Sequence, residues 1–145
     1  MATTAEHSLV INQSVEKVYA FVSDVRNNPK WQVGILETRT DTDGPTHIGT
    51  KVTDVRTFIG RKMELSYEVV EMVPNSVLSL KSISGPLSFH GTTTLQDMGE
   101  ATRVHVTFEM EATGILKLAE GLVASSLKKD LETSFAQLKV LLESQ

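Results

Sequence analysis

The side chains best suited to chemistry in this chain are Asp54, Arg56 and Tyr67. A guanidinium offers a fork of N–H donors to a carboxylate or enolate, and a neighbouring phenol can hydrogen-bond the same oxygen or assist proton transfer. Tyr67 falls in the run Met63, Leu65, Tyr67, Val69, which alternates with polar Glu64, Ser66 and Glu68, so it belongs to the dry face of a strand. The positions of Asp54 and Arg56 depend on the turn at Gly60. A two-residue turn of Gly60 and Arg61 sets Phe58 opposite Met63, Arg56 opposite Leu65 and Asp54 opposite Tyr67, all on the inner face. A three-residue turn or a bulge reverses the parity, so that Thr53, Val55, Thr57 and Ile59 point inward and Asp54 and Arg56 meet water. The cost of burying an isolated charge favours the second register, whereas the chemistry needs the first. Tyr67 also fits an ordinary core tyrosine with a satisfied hydroxyl. Across the turn at Pro74-Asn75 it should face Ser82, which would set two hydroxyls on one patch of an apolar wall.

Other chemistries lack their residues. The chain has no cysteine, which excludes thiolate nucleophiles, disulfides and cysteine-based zinc sites. A turn at Met98 to Ala101 pairs His90 with Glu109 and His105 with Thr94 on a wet face, too far apart for the two histidines to share a metal. His7 lies near the terminus and His47 in a loop. No HExxH pair, Gly-x-Ser-x-Gly elbow or glycine-rich phosphate loop occurs, so no metal and no cofactor is expected. An enzyme built on this chain would work by general acids and bases and by shaping its ligand.

The elements that must position these residues follow from periodicity. Glu6 to Ile11 reads as a first strand, and Ser14 as the N-cap of a helix carrying Val15, Val18, Tyr19 and Val22 on one face and ending near Asp24. In Asn27-Asn28-Pro29-Lys30-Trp31, Asn28 suits a cap and Pro29 the first helical position, which places Trp31 on a second short helix. A strand near Leu36 to Thr42 precedes the turn-rich Asp41-Thr42-Asp43-Gly44-Pro45 loop. Turns at Gly60-Arg61, Pro74-Asn75, Gly85-Pro86 and Met98 to Ala101 then mark an antiparallel meander. Its inner face carries Leu87, Phe89, Leu95, Val104, Val106, Phe108 and Met110, and its outer face His90, Thr92, Thr94, Arg103, His105, Glu109 and Glu111. From Ile115 to Glu143 the stripe Leu116, Ala119, Val123, Leu127, Leu131, Phe135, Leu138 and Leu142 predicts one long helix of roughly 43 Å. Gly121, Ser125 and Ser126 in its first half would either loosen that turn or leave space at a cavity mouth. A curved sheet closed by one helix tends to leave a hollow, and hollows of this kind hold small molecules.

The 145 residues suit one domain, 1–145, with a real core, and the net charge of −4 without a basic cluster argues against a nucleic-acid partner. Without a basic-then-apolar start or an apolar run of about 20 residues, a soluble, cytoplasmic protein with no integral membrane association is expected. The Asn12-Gln13-Ser14 sequon is then a chance match. The edge strand near Leu36 could pair with a second copy, which leaves monomer and homodimer both open.

The order of elements, together with Val15-Glu16-Lys17-Val18-Tyr19, Asn28-Pro29-Lys30-Trp31, Ile48-Gly49-Thr50, Gly60-Arg61, Glu68-Val69-Val70-Glu71 with Pro74, Ala101-Thr102-Arg103-Val104, Gly114 and the Leu138 to Glu143 ending, resembles the START-related helix-grip superfamily (SRPBCC), in particular its polyketide cyclase/dehydrase and lipid-transport branch. The resemblance implies an α+β helix-grip fold: a curved antiparallel sheet of six to seven strands wrapped around a long C-terminal helix, with two short helices after the first strand. It also implies an aromatic residue, Trp31, beside the cavity entrance, unless Trp31 only anchors its helix.

Three functions follow as expectations. The first is non-catalytic binding of a small hydrophobic or amphipathic ligand (a lipid, polyketide, isoprenoid or aromatic metabolite) between sheet and helix. The wall would comprise Trp31, Val52 or Thr53, Arg56, Phe58, Met63, Leu65, Tyr67, Leu80, Ser82, Phe89, Phe108, Met110, Val123 and Leu127. Met63 and Met110 would make it adaptable. The second is a cyclase or dehydratase-like enzyme in which Tyr67, Arg56 or Asp54 moves protons or holds an enolate. The third is a protein-interaction or chaperone-activator-like module using the face with His90, His105 and Glu109.

Overall fold

Alternation of apolar and polar residues produces seven antiparallel strands. They are β1 (Thr3–Ile11), β2 (Ile35–Thr40), β3 (Lys51–Phe58), β4 (Arg61–Val73), β5 (Val77–Ser84), β6 (Leu87–Asp97) and β7 (Thr102–Ala112). They form one curved sheet in the order β1-β7-β6-β5-β4-β3-β2, so the first strand is added beside the last and β2 forms the opposite edge. The structure, a computed structural model, describes residues 3–85, 87–112 and 114–145. Pro86 of the expected turn, and the side chain of Leu116 in the helical stripe, lie outside the described residues. Among the described residues no helix is long and apolar enough to cross a membrane.

The helices follow their capping chemistry. Helix α1 (Val15–Ser23) starts at Ser14, whose side chain accepts from the Lys17 N–H, and buries Val15, Val18 and Val22. A 3-10 turn at Val25–Asn27 leads into α2 (Asn28–Trp31). Here the expected cap is corrected: Asn27 precedes the helix without a side-chain cap bond, and Asn28 lies inside it with its amide turned to the core. Buried polar demand from Tyr67 outweighs the local cap.

The closing helix begins later than its apolar stripe implies. Gly114–Ala119 forms a 3-10 turn and α3 spans Glu120–Glu143, 24 residues or about 36 Å. Ala119, at the N-cap position, makes no side-chain bond to the free N–H groups, and a tighter turn is the usual substitute. From Val123 onward the stripe is as expected, with Val123, Leu127, Phe135, Leu138 and Leu142 buried. The far end of α3 is clamped to the junction of β1 and α1. Lys139 Nζ donates to the Val10 carbonyl at 2.7 Å, Gln13 Nε2 donates to the Leu142 carbonyl at 2.8 Å, and the Asn12 N–H donates to Glu143 Oε2 at 2.8 Å.

The β3–β4 hairpin decides what faces inward. Phe58 pairs with Arg61, Arg56 with Met63, Asp54 with Leu65 and Val52 with Tyr67. The loop is therefore Ile59-Gly60, one position earlier than Gly60-Arg61, and both residues have positive φ (53° and 70°), as a type I′ turn requires. The partners shift by a residue pair from those expected, but the parity is that of the inward register: Asp54, Arg56 and Phe58 share the face of Met63, Leu65 and Tyr67. The drier register, favoured by the cost of burying charge, is not adopted.

Two apolar clusters fill the space between sheet and helix. One gathers Val25, Val52, Phe58, Leu65, Tyr67, Leu87, Phe89, Met110, Val123 and Leu127; the other gathers Ile11, Val18, Trp31, Val69, Val104, Phe135, Leu138 and Leu142 with their neighbours. Trp31 meets Phe135 edge-on, with ring centroids 5.0 Å apart at 72°, and this contact ties α2 to α3.

Candidate functional site

Between these clusters lies a cavity of about 130 Å³ whose wall draws on both. Strand β3 contributes Asp54, Arg56 and Phe58, β4 Leu65 and Tyr67, β5 Leu80, β6 Phe89, and β7 Phe108 and Met110. Leu127 on α3 and Trp31 on α2 complete the expected residues that line it. Met63, Ser82 and Val123 do not line it. Met63 packs partly buried against the first cluster, and Val123 is consumed in that cluster's interior. Ser82 does pair with Tyr67 across β4 and β5, yet its Oγ accepts from the Phe89 N–H at 2.9 Å, just beyond the Lys81–His90 pair. That hydroxyl substitutes for a ladder carbonyl, so the two-hydroxyl patch does not form. Val52 is buried on the inner face away from the cavity, and Thr53 points to the outer face, where it hydrogen-bonds Ser66.

A continuous hydrogen-bond chain runs through the wall. Asn28 Nδ2 donates to the Tyr67 hydroxyl at 2.9 Å, Tyr67 donates to Asp54 Oδ2 at 3.0 Å, and Thr38 Oγ1 donates to Asp54 Oδ1 at 2.7 Å. Asn28, Asp54 and Tyr67 are buried, which explains how a carboxyl is tolerated inside: each oxygen has a donor. Burial still pushes the Asp54 carboxyl above the usual carboxylate range, against the opposing pull of Thr38, Tyr67 and Arg56. Burial, reinforced by the Asp54 charge, pushes the Tyr67 phenol well above its ordinary value. The phenol therefore keeps its proton and donates it in a hydrogen bond to Asp54.

Arg56 is the cation of the site. Its Nη2 donates to the Val33 carbonyl at 3.1 Å and lies 3.7 Å from Asp130 Oδ2 on α3. Burial lowers its pKa, with Asp130 and then Asp54 opposing the shift. Asp130 is held above the usual carboxylate range by burial, with Arg56 and then Lys129 pulling it down. The Val33 N–H donates to Ser134 Oγ at 2.9 Å, so Arg56 and Ser134 together fix the segment after α2. Two donors on cavity-lining residues are buried with no acceptor among the described residues: Arg56 Nε and Trp31 Nε1.

The site thus brings together Asp54, Arg56 and Tyr67, and it adds Asn28, Thr38, Asp130 and Ser134, which sequence reasoning did not assign to it. Asn28 carried a misleading signal, because its position before Pro29 also suits a cap. Asp130 and Ser134 could have been found from their i, i+4 spacing beside Leu127 and Leu131. The small residues Gly121, Ser125 and Ser126 do not line the cavity. On the outer face His90 Nε2 lies 2.9 Å from Ser79 Oγ, and His105 Nδ1 lies 2.9 Å from Ser8 Oγ. His90 pairs with Glu109 and His105 with Thr94 in the register expected. Among the described residues no three His, Asp or Glu side chains are grouped so as to hold a metal ion.

The arrangement is that of known folds. A protein of Thermus thermophilus, TTHA0849, is similar with a TM-score of 0.83 at 21% identity, covering 98% of this chain and 99% of that one. A START superfamily protein from Mycobacterium smegmatis is similar at 0.72 and 16% identity, with 94% and 99% covered. The Zhui aromatase/cyclase from Streptomyces sp. R1128 is similar at 0.69 and 12% identity, with 99% and 90% covered. No curated protein matches the chain in sequence. The family model described as polyketide cyclase / dehydrase and lipid transport matches residues 2–143. The chain belongs to that family, within the START-related helix-grip superfamily.

Proposed function

We propose that the chain, acting as a single domain, binds a small, mostly apolar molecule in the cavity between the sheet and α3. The observation that carries this reading is the largely apolar hollow itself, whose lining includes Arg56 and Trp31, each with a buried N–H (Nε and Nε1) that has no acceptor among the described residues. A buried donor without an acceptor costs about 1–3 kcal/mol, and a ligand oxygen would remove that cost. Aliphatic and aromatic side chains supply the remaining affinity by burying the ligand's apolar surface.

A second reading, cyclase or dehydratase-like catalysis, is favoured by one further observation: the hydrogen-bonded Asp54–Tyr67 pair in the same wall. A carboxyl raised by burial is nearer to a working proton acceptor at neutral pH than a free one. In that reading Asp54 takes a proton next to a ligand carbonyl and Arg56 holds the resulting enolate oxygen.

Native mass spectrometry of protein purified without added ligand, followed by organic extraction, tests the first reading. Release of a defined small molecule supports it; an empty protein that also excludes hydrophobic dyes refutes it. Any turnover found with the released class should then be lost in Asp54→Asn and Arg56→Ala while dye uptake persists.

A further inference from the structure

The geometry points to a neutral, single-ring molecule bearing one or two acceptor oxygens, such as an aryl ketone, as the ligand of this cavity. The inference rests on the binding reading above and narrows it by size, polarity and charge. Size comes first: the hollow of about 130 Å³ is close to the apolar cavity of about 150 Å³ that accepts one benzene ring. It is far below the roughly 300–1,000 Å³ of pockets that enclose larger ligands. Phe89 and Phe108, stacked on each other with centroids 5.4 Å apart at 15°, both line it and give it an aromatic wall.

Polarity comes second. Three acceptors in the wall are already engaged: Asp54 receives Thr38 and Tyr67, Tyr67 receives Asn28, and Ser134 receives the Val33 N–H. The buried N–H groups without a partner on lining residues, Arg56 Nε and Trp31 Nε1, are both donors, and a small adjustment of either side chain toward the hollow would call for acceptor oxygen on the ligand. Charge comes third. Asp54 and Asp130 set two carboxyls against the single guanidinium of Arg56. A carboxylate ligand would add a third negative group to a low-dielectric site already balanced against anions, whereas a neutral carbonyl would not.

Three ring compounds of similar size separate these criteria: acetophenone, ethylbenzene without the oxygen, and benzoate with a negative charge. Affinities are measured by isothermal titration calorimetry at pH 7.5, with hexadecanoate as a long-chain comparison and Nile red as a general apolar probe. Acetophenone is expected to bind about tenfold or more tightly than ethylbenzene and than benzoate, and Trp31→Phe should shrink its advantage over ethylbenzene. Equal binding of ethylbenzene, or benzoate binding as tightly as acetophenone, overturns the ligand class while leaving the binding reading intact. Hexadecanoate binding with none of the three rings bound does the same. Failure of every compound, Nile red included, overturns the binding reading itself.

Discussion

Replacing Tyr67 by phenylalanine removes one oxygen atom and two hydrogen bonds from a fully buried position. The Asn28 Nδ2 donor at 2.9 Å loses its acceptor, and Asp54 Oδ2 loses a donor at 3.0 Å. A hydrogen bond to a charged group contributes about 1.5–3 kcal/mol and an orphaned buried donor costs about 1–3 kcal/mol. The deleted hydroxyl no longer has to be desolvated, which returns part of this. The net expected loss is about 2–4 kcal/mol, or roughly 5–15 °C in Tm for a chain of this size. The cost should depend on pH. Burial already holds the Asp54 carboxyl above its unfolded value, and the Tyr67 bond is one of the contacts that pulls it down. A group raised on folding contributes most below its unfolded pKa of about 3.9 and loses that contribution as pH rises through the folded value. Tyr67→Phe lifts the folded value further, so its penalty is larger at pH 7.5 than at pH 4. Urea unfolding followed by the fluorescence of Trp31, the lone tryptophan, measures both. In an Asp54→Asn background the penalty should shrink by about 1–2 kcal/mol, because the phenol–carboxylate bond is gone. A loss under about 0.5 kcal/mol at neutral pH, or strict additivity with Asp54→Asn, would refute the hydrogen-bond chain.

Two further substitutions probe other parts of the fold. A Cβ at Gly91 would stand 2.9 Å from Phe108 Cδ2, so Gly91→Ala should displace Phe108 from its stack, cost about 1–3 kcal/mol by overpacking and reduce Nile red uptake severalfold; unchanged uptake and stability would mean that the ring has room to yield. Glu143 has the opposite pH sign to Asp54, because its bonds with Lys139 and the Asn12 N–H hold its pKa down. Glu143→Gln should therefore lower Tm at neutral pH, and the difference from the parent should vanish as pH falls below the ordinary glutamate value of about 4.3. A difference that persists under acid would contradict the clamp.

Parity made the β6 and β7 walls and the Met63 to Val69 part of β4 legible in the sequence, because these runs alternate cleanly; beyond Val69 a register shift against β5 breaks the alternation. Strand β3 was harder to read for two physical reasons. Its turn puts Ile59 at φ 53°, a conformation that a β-branched residue rarely adopts, so the sequence pointed to Gly60 as the first turn residue. The penalty for burying Asp54 and Arg56 also presumes no partners, and theirs come from Thr38 on β2, Tyr67 on β4 and Asp130 on α3. Such long-range partners leave no local pattern. The start of α3 was misjudged because an apolar stripe reports which face is buried and says nothing about whether the first turn is capped.

The same contacts bear on the choice between a carrier and a cyclase. A flexible poly-ketone is several times larger than one ring, so it could enter only if the wall moved. One segment that borders the cavity is the one after α2, through Gln32 and Val33. It is held by Arg56 Nη2 on the Val33 carbonyl, Ser134 Oγ under the Val33 N–H, and the Thr57 N–H on the Gly34 carbonyl at 2.9 Å. Two of these three ties use groups that also border the cavity, Arg56 and Ser134. A large ligand admitted by displacing this segment would break part of the site, because the Arg56–Val33 and Ser134–Val33 bonds would have to open. A small ring of the size of the hollow would leave these ties in place. On the proposed binding reading, a long poly-ketone would need the wall to rearrange, whereas a single ring fits the hollow of about 130 Å³ as it stands. The ranking of acetophenone against hexadecanoate reads that difference directly, since only the long chain has to meet the cost of opening.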